Sequence, residues 1–86
     1  MIATVVDGIV YCTRERCHHR LGSLDRDTRD GRPMWRPPSP KWHVVNGVFE
    51  LGTRSRRTQY AEVVYLPVEV RCEACGNVQS VLRTSP

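Results

Sequence analysis

Three stretches of the chain alternate apolar and polar positions with period two, and each turns back on itself at a recognisable point. The first, Ile2-Ala-Thr-Val-Val-Asp7-Gly8-Ile-Val-Tyr-Cys12, has β-branched runs on either side of Asp-Gly, a pair that tolerates the positive φ of a two-residue hairpin turn. It predicts a hairpin in which Val6 faces Ile9 and Val5 faces Val10, with Cys12 at the open end. The second, Trp42 to Leu51, turns at Asn46-Gly47 and pairs Val45 with Val48, Val44 with Phe49, His43 with Glu50 and Trp42 with Leu51. Alternation then collects Trp42, Val44, Phe49 and Leu51 on a core face and makes His43 a cross-strand neighbour of Glu50. The third runs from Ala61 to Cys72, with Val64, Leu66, Val68 and Val70 on one face and Cys72 in phase with them. Pro67 has no N–H for a ladder, which places this long strand at an edge or puts a bulge there. Residues 77–83 form its return partner, so the turn from Cys72 to Gly76 is the tip of a third hairpin.

Residues 20–41 break the alternation. A mixed-charge run (Asp25, Arg26, Asp27, Arg29, Asp30, Arg32) leads into Pro33-Met-Trp-Arg-Pro-Pro-Ser-Pro40, which holds four of the six prolines. With no periodic apolar face, this segment is expected to be a long loop of polyproline character. No helical period extends beyond two turns, and no internal repeat is visible. The expected fold is therefore a small all-β domain spanning 1–86, three hairpins with one long Pro- and Arg-rich loop.

At 86 residues such a domain buries too little apolar surface to be stable without help, so a staple is expected. No apolar run approaches the roughly 18–20 residues of a membrane helix, and residues 1–20 lack a charged-then-apolar leader. The expectation is a soluble intracellular protein, cytoplasmic or carried within a phage particle. The net charge is +4, but twelve of the thirteen basic residues are Arg, a bias that a GC-rich genome also produces.

The four cysteines supply the candidate staple. They fall as two local pairs, Cys12-x-x-x-x-Cys17 and Cys72-Glu-Ala-Cys75-Gly76, far apart in sequence. Two pairs of this kind can each wrap one edge of a tetrahedral zinc, with the backbone N–H groups of the turn pointing at the thiolates and the following glycine turning the chain into the next strand. Four thiolates on one divalent cation would lower the net charge by two. The bland alternatives are two disulfides, disfavoured in a reducing compartment, or four buried thiols. Iron could use the same ligands, while redox use of Cys72 and Cys75 would want a βαβ setting that is lacking here. Four filled positions leave no site for a catalytic water. No Gly-rich phosphate loop, His-Glu-x-x-His or paired apolar carboxylates occur, so the chain is expected not to be an enzyme.

Arg71-Cys72-Glu73-Ala74-Cys75-Gly76-Asn77 between two strands resembles the second knuckle of a zinc ribbon, over about 20 residues of the chain. The resemblance implies one structural zinc and a docking or nucleic-acid-binding role of the kind such ribbons play in transcription, translation and phage proteins. The first pair departs from the pattern: its spacer is four residues, and no glycine follows Cys17. That leaves His18 or His19 as alternative ligands to Cys17, beside their simpler reading as surface imidazoles.

Arginines cluster at Arg14, Arg16 and Arg20 beside the first pair and at Arg54, Arg56 and Arg57 after the second hairpin. Either cluster could neutralise phosphates, with Trp35, Trp42 or Tyr60 stacking on a base. Equally, Arg14, Arg16 and Arg71 could offset the negative charge of a zinc tetrathiolate. Trp35, among the prolines, has no place in the expected sheets and is expected to anchor the loop to the domain or to a partner. The function expected is a zinc-ribbon-like module docking on nucleic acid or on a larger protein assembly through Arg-rich loops. The alternative is a structural subunit of a large complex such as a phage particle.

Overall fold

The two turn dipeptides adopt the conformation their residues favour: Asp7 and Gly8 have φ of 50° and 76°, and Asn46 and Gly47 have 51° and 79°. Paired positive φ values define the tight turn whose twist matches that of antiparallel strands. A computed structural model describes residues 1–52 and 64–82, and these described residues form nine strands. Five of them, β1 (Thr4–Val6), β2 (Ile9–Tyr11), β3 (Arg20–Arg26), β4 (Pro33–Arg36) and β7 (Val64–Tyr65), form one sheet in that order. The other sheet has the order β5 (Trp42–Val45), β6 (Val48–Leu51), β8 (Val68–Arg71) and β9 (Val78–Val81). All neighbours are antiparallel except β6 and β8. The fold is a small all-β one, with no helix among the described residues.

The first two hairpins are present in the expected registers, and the third has the expected return strand. Val5 faces Val10 and Val6 faces Ile9; Trp42, His43, Val44 and Val45 face Leu51, Glu50, Phe49 and Val48; and β8 returns as β9 with Arg71 opposite Val78.

Residues 20–41 are not the expected loop, because they contain a fourth hairpin, β3 and β4, with Leu24 opposite Trp35 and Arg26 opposite Pro33. Two features hid it. Its tip is tied by aspartates, since the Asp27 carboxylate accepts the Arg29 N–H and the Asp30 carboxylate accepts the Arg32 N–H. Its first strand also contains a register shift against β2, where Ile9 faces Ser23 but Tyr11 faces Arg20. Gly22 sits at that irregularity with φ 113°, and a Cβ there would lie 2.4 Å from the Arg36 carbonyl oxygen and 2.6 Å from Trp35 Nε1. The shift breaks the period-two pattern that would mark a strand.

The single long strand expected from Ala61 to Cys72 is two short ones. Ala61 to Val63 lie outside the described residues. Val64–Tyr65 pairs with β4 in the first sheet, and after Leu66-Pro67, a cis peptide bond, Val68–Arg71 lies between β6 and β9 in the second. A residue without an N–H sits where the chain leaves one ladder for the other. The chain start makes a similar crossing: Ser80 donates to the Met1 carbonyl and Ala3 to the Ser80 carbonyl, after which β1 enters the other sheet.

Both sheets contribute to one core of Ala3, Val10, Cys12, Leu21, Trp35, Trp42, Val68, Val70, Cys72 and Val81. Val68, Val70 and Cys72 keep the inward phase read from the sequence. Of the second hairpin's expected core face, however, only Trp42 is fully inside and Phe49 half-buried; Val44 is 52% exposed and Leu51 also faces outward. The core covers one end of that face, where Trp35 meets the Trp42 ring edge-on at 5.8 Å and the Phe49 ring at 5.4 Å. Trp35 is 0% exposed, and its Nε1 donates to the Leu21 carbonyl at 2.7 Å. It is thus the central side chain of the core. The partner-binding role offered for it is corrected, and it anchors its segment to the domain instead: β4, which appeared as a loop in the sequence, carries it between the sheets.

Candidate metal centre

Each cysteine pair lies at the end of a hairpin, and the two hairpins belong to different sheets. Cys12 follows β2 and its loop returns into β3; Cys72 follows β8 and its loop returns into β9. The loops close with the same bond, Cys12 N–H to the His19 carbonyl at 2.8 Å and Cys72 N–H to the Asn77 carbonyl at 2.9 Å. In the second loop Gly76, with φ 78°, donates back to the Cys72 carbonyl, as its place after the second cysteine led us to expect. In the first loop the equivalent position is His18, with φ 50°, and the additional residues form a turn in which Cys17 N–H donates to the Arg14 carbonyl at 3.0 Å.

The four sulfur atoms meet between these two loops, all within 4.8 Å of one another. Cys12 Sγ lies 3.6 Å from Cys75 Sγ, and Cys17 Sγ lies 3.5 Å from Cys72 Sγ. A disulfide would need about 2.05 Å. Metal–sulfur bonds of about 2.3 Å in a tetrahedron place the sulfurs about 3.8 Å apart, so the observed spacing fits a four-thiolate metal site. The position of the cluster means that one ion would tie the two sheets together.

The surrounding dipoles suit thiolates. The backbone N–H groups of Ala74 and Cys75 point at Cys72, that of Asn77 at Cys75 and that of Arg14 at Cys12. Burial nonetheless dominates at the two inner sulfurs: it raises the Cys12 thiol and pushes Cys72 up to about 12, while the Asn77 N–H draws Cys75 down to about 7. Two buried thiols that resist ionisation alone become good ligands once a cation supplies the missing charge.

Gln79 is the contributor that reading the sequence missed. It is 0% exposed, its Nε2 donates to Cys12 Sγ at 2.9 Å, and its Oε1 accepts the Thr13 N–H at 2.8 Å. One side chain from the second sheet thereby satisfies the first loop at two points. The available signal was its phase, because Gln79 shares the inward face of β9 with Val81.

The remaining candidates have other surroundings. His19 Nε2 pairs with Glu73 Oε1 at 2.5 Å, a second link between the loops, and His18 is exposed. Arg14, Arg16 and Arg20 are exposed. Arg71 donates to the Glu50 carboxylate and to the Gly76 carbonyl. His43 lies opposite Glu50 as expected, and its ring packs on Gly52, where a Cβ would lie 1.6 Å from it. Arg54, Arg56, Arg57 and Tyr60 fall outside the described residues. Among the described residues no helix is long and apolar enough to cross a membrane.

Comparison with protein-family models, with curated proteins and with solved structures finds no match for this chain. The geometry alone establishes a four-cysteine cluster of metal-site dimensions on a small β fold.

Proposed function

We propose that this chain is a non-enzymatic, zinc-stapled module of the zinc-ribbon kind that docks on nucleic acid through the arginines of its first knuckle. The observation that carries the reading is the meeting of four thiols between two sheets, with Gln79 and the loop N–H groups aimed at the sulfurs. Zinc suits four thiolates in a tetrahedron and leaves no position open for substrate or water, which makes its role structural. Arg14 and Arg16 lie beside Cys17 and Cys75, Arg20 opens β3, and among the described residues none of them forms an ion pair, whereas Arg29, Arg36 and Arg71 each hold a carboxylate. Exposed guanidinium groups without a carboxylate partner suit phosphate contacts.

A second reading, a structural subunit of a larger assembly such as a phage particle, draws support from the outward-facing Val44, Val45 and Leu51 of the second hairpin. Titration of a mixed-sequence oligonucleotide at rising salt separates the two. Docking on nucleic acid predicts a steep loss of affinity with salt, and Arg14→Ser with Arg16→Ser should flatten the log–log slope by about 2. Absence of salt-dependent binding, with recovery of the protein only in a stoichiometric complex, would favour the subunit.

A further inference from the structure

The four sulfurs are not equally reachable. Cys12 and Cys72 are 0% exposed, whereas Cys17 and Cys75 are part-exposed and line an open depression of about 470 Å³ together with Arg14, Glu15 and Arg16. Each part-exposed sulfur has a buried one beside it across the gap between loops, Cys72 at 3.5 Å from Cys17 and Cys12 at 3.6 Å from Cys75. We propose that Cys17 and Cys75 are oxidative modification sites, at which hydrogen peroxide enters the cluster and closes the crossed disulfides Cys17–Cys72 and Cys12–Cys75 with release of the metal. The proposal rests on the metal-bound thiolates inferred above.

The chemistry balances with peroxide as the only added reactant. The Cys17 sulfur attacks one peroxide oxygen, the O–O bond breaks, a sulfenic acid forms and hydroxide departs. The Cys72 thiolate then attacks that sulfur, the S–S bond forms, the S–O bond breaks and a second hydroxide departs. Two thiolates have lost two electrons and peroxide has gained them. The same sequence at Cys75 and Cys12 consumes a second peroxide. Susceptibility follows access of the oxidant to the thiolate, which the depression gives to Cys17 and Cys75 alone. Positive charge from Arg14 and Arg16 beside it favours the departing hydroxide. Because both disulfides join one loop to the other, they take over the tie between sheets as the ion leaves. Pairing within each loop would leave the sheets untied.

The test uses the wild-type, metal-loaded protein, with its metal content measured beforehand. Hydrogen peroxide is added stepwise, released metal is followed with a chromogenic chelator, and disulfides are mapped by non-reducing peptide mass spectrometry. A parallel sample receives substoichiometric N-ethylmaleimide. The expected results are loss of one metal per chain, the two crossed disulfides, and first labelling at Cys17 and Cys75. Dominant Cys12–Cys17 and Cys72–Cys75 disulfides, first labelling at Cys12 or Cys72, or metal that survives excess peroxide would overturn the proposal. A protein that contains no metal before treatment would overturn the zinc reading instead, and the order of labelling in that reduced protein would still decide between exposed and buried thiols.

Discussion

In the second knuckle Cys72 donates its N–H to a carbonyl five residues on, at Asn77, whereas in the first Cys12 reaches seven residues on, to His19. Both loops nevertheless deliver two sulfurs to the same place and return into an adjacent antiparallel strand. The difference lies in how the chain is bent. The short loop needs one residue at positive φ after its second cysteine, and glycine adopts that conformation at no steric cost. The long loop absorbs its two additional residues in a turn from Arg14 to Cys17 and puts His18 at positive φ, a conformation that costs a side-chain-bearing residue roughly 1–2 kcal/mol. It recovers support from its neighbours, through Gln79 on Thr13 and Cys12 and through Glu73 on His19. The second knuckle folds by its own local preferences, and the first is held in shape by the second sheet.

This contrast can be broken or sharpened experimentally. The largest effect is metal removal, because a structural zinc contributes roughly 10–16 kcal/mol against a typical domain stability of about 5–15 kcal/mol. Chelation, Cys72→Ser and Cys17→Ser should each abolish the folded signal in circular dichroism. A Cys17→Ser variant that retained stoichiometric zinc would show His18 or His19 moving into the shell and would make the first knuckle the adaptable one. Acidification should act in the same direction. Burial in the folded arrangement raises Cys12 and Cys72, so a bound ion must displace protons that these thiols otherwise keep, and affinity rises with pH and is lost as pH falls. Below about pH 7 the Cys75 proton adds to the slope, which competition titrations at several pH values would measure.

Gln79→Ala leaves the Thr13 N–H and a Cys12 lone pair without their buried partner and should cost about 1–3 kcal/mol in urea unfolding of the zinc-loaded protein. Hydrogen exchange should then quicken in residues 12–19 and remain slow in residues 72–77. The smallest effects concern the two residues at positive φ. Gly76→Ala should destabilise by about 1 kcal/mol through backbone strain alone, since a Cβ there has no heavy atom within 4 Å, and His18→Gly should relieve strain of similar size. Equal loss in both variants would mean that the His18 side chain contributes something the geometry does not reveal.

Where local chemistry decided the structure, the sequence was legible. Asp-Gly and Asn-Gly set two registers correctly, and the inward phase of Val68, Val70 and Cys72 with the glycine after Cys75 placed the second knuckle. Legibility failed where a contact distant in sequence overrides local pattern. The irregularity at Gly22 exists because Trp35 and the Arg36 carbonyl need the space, and the hairpin it belongs to therefore looked like a loop. Trp35 then had no strand to belong to, and its two roles, anchoring to the domain or to a partner, could not be told apart although it lies inside the core. Val44 and Leu51 alternate correctly, but how far the other sheet extends over them is a tertiary fact. Gln79 was overlooked because a polar residue in an inward phase becomes meaningful only when its partner, Cys12, is seen beside it.

X-ray absorption at the zinc edge, on protein loaded under reducing conditions, tests the central claim most directly, since it counts and identifies the atoms around the metal. One zinc surrounded by four sulfurs at about 2.3 Å is the predicted result. A shell containing nitrogen at about 2.0–2.1 Å would contradict the four-cysteine staple between the sheets, as would a protein that takes up no stoichiometric zinc.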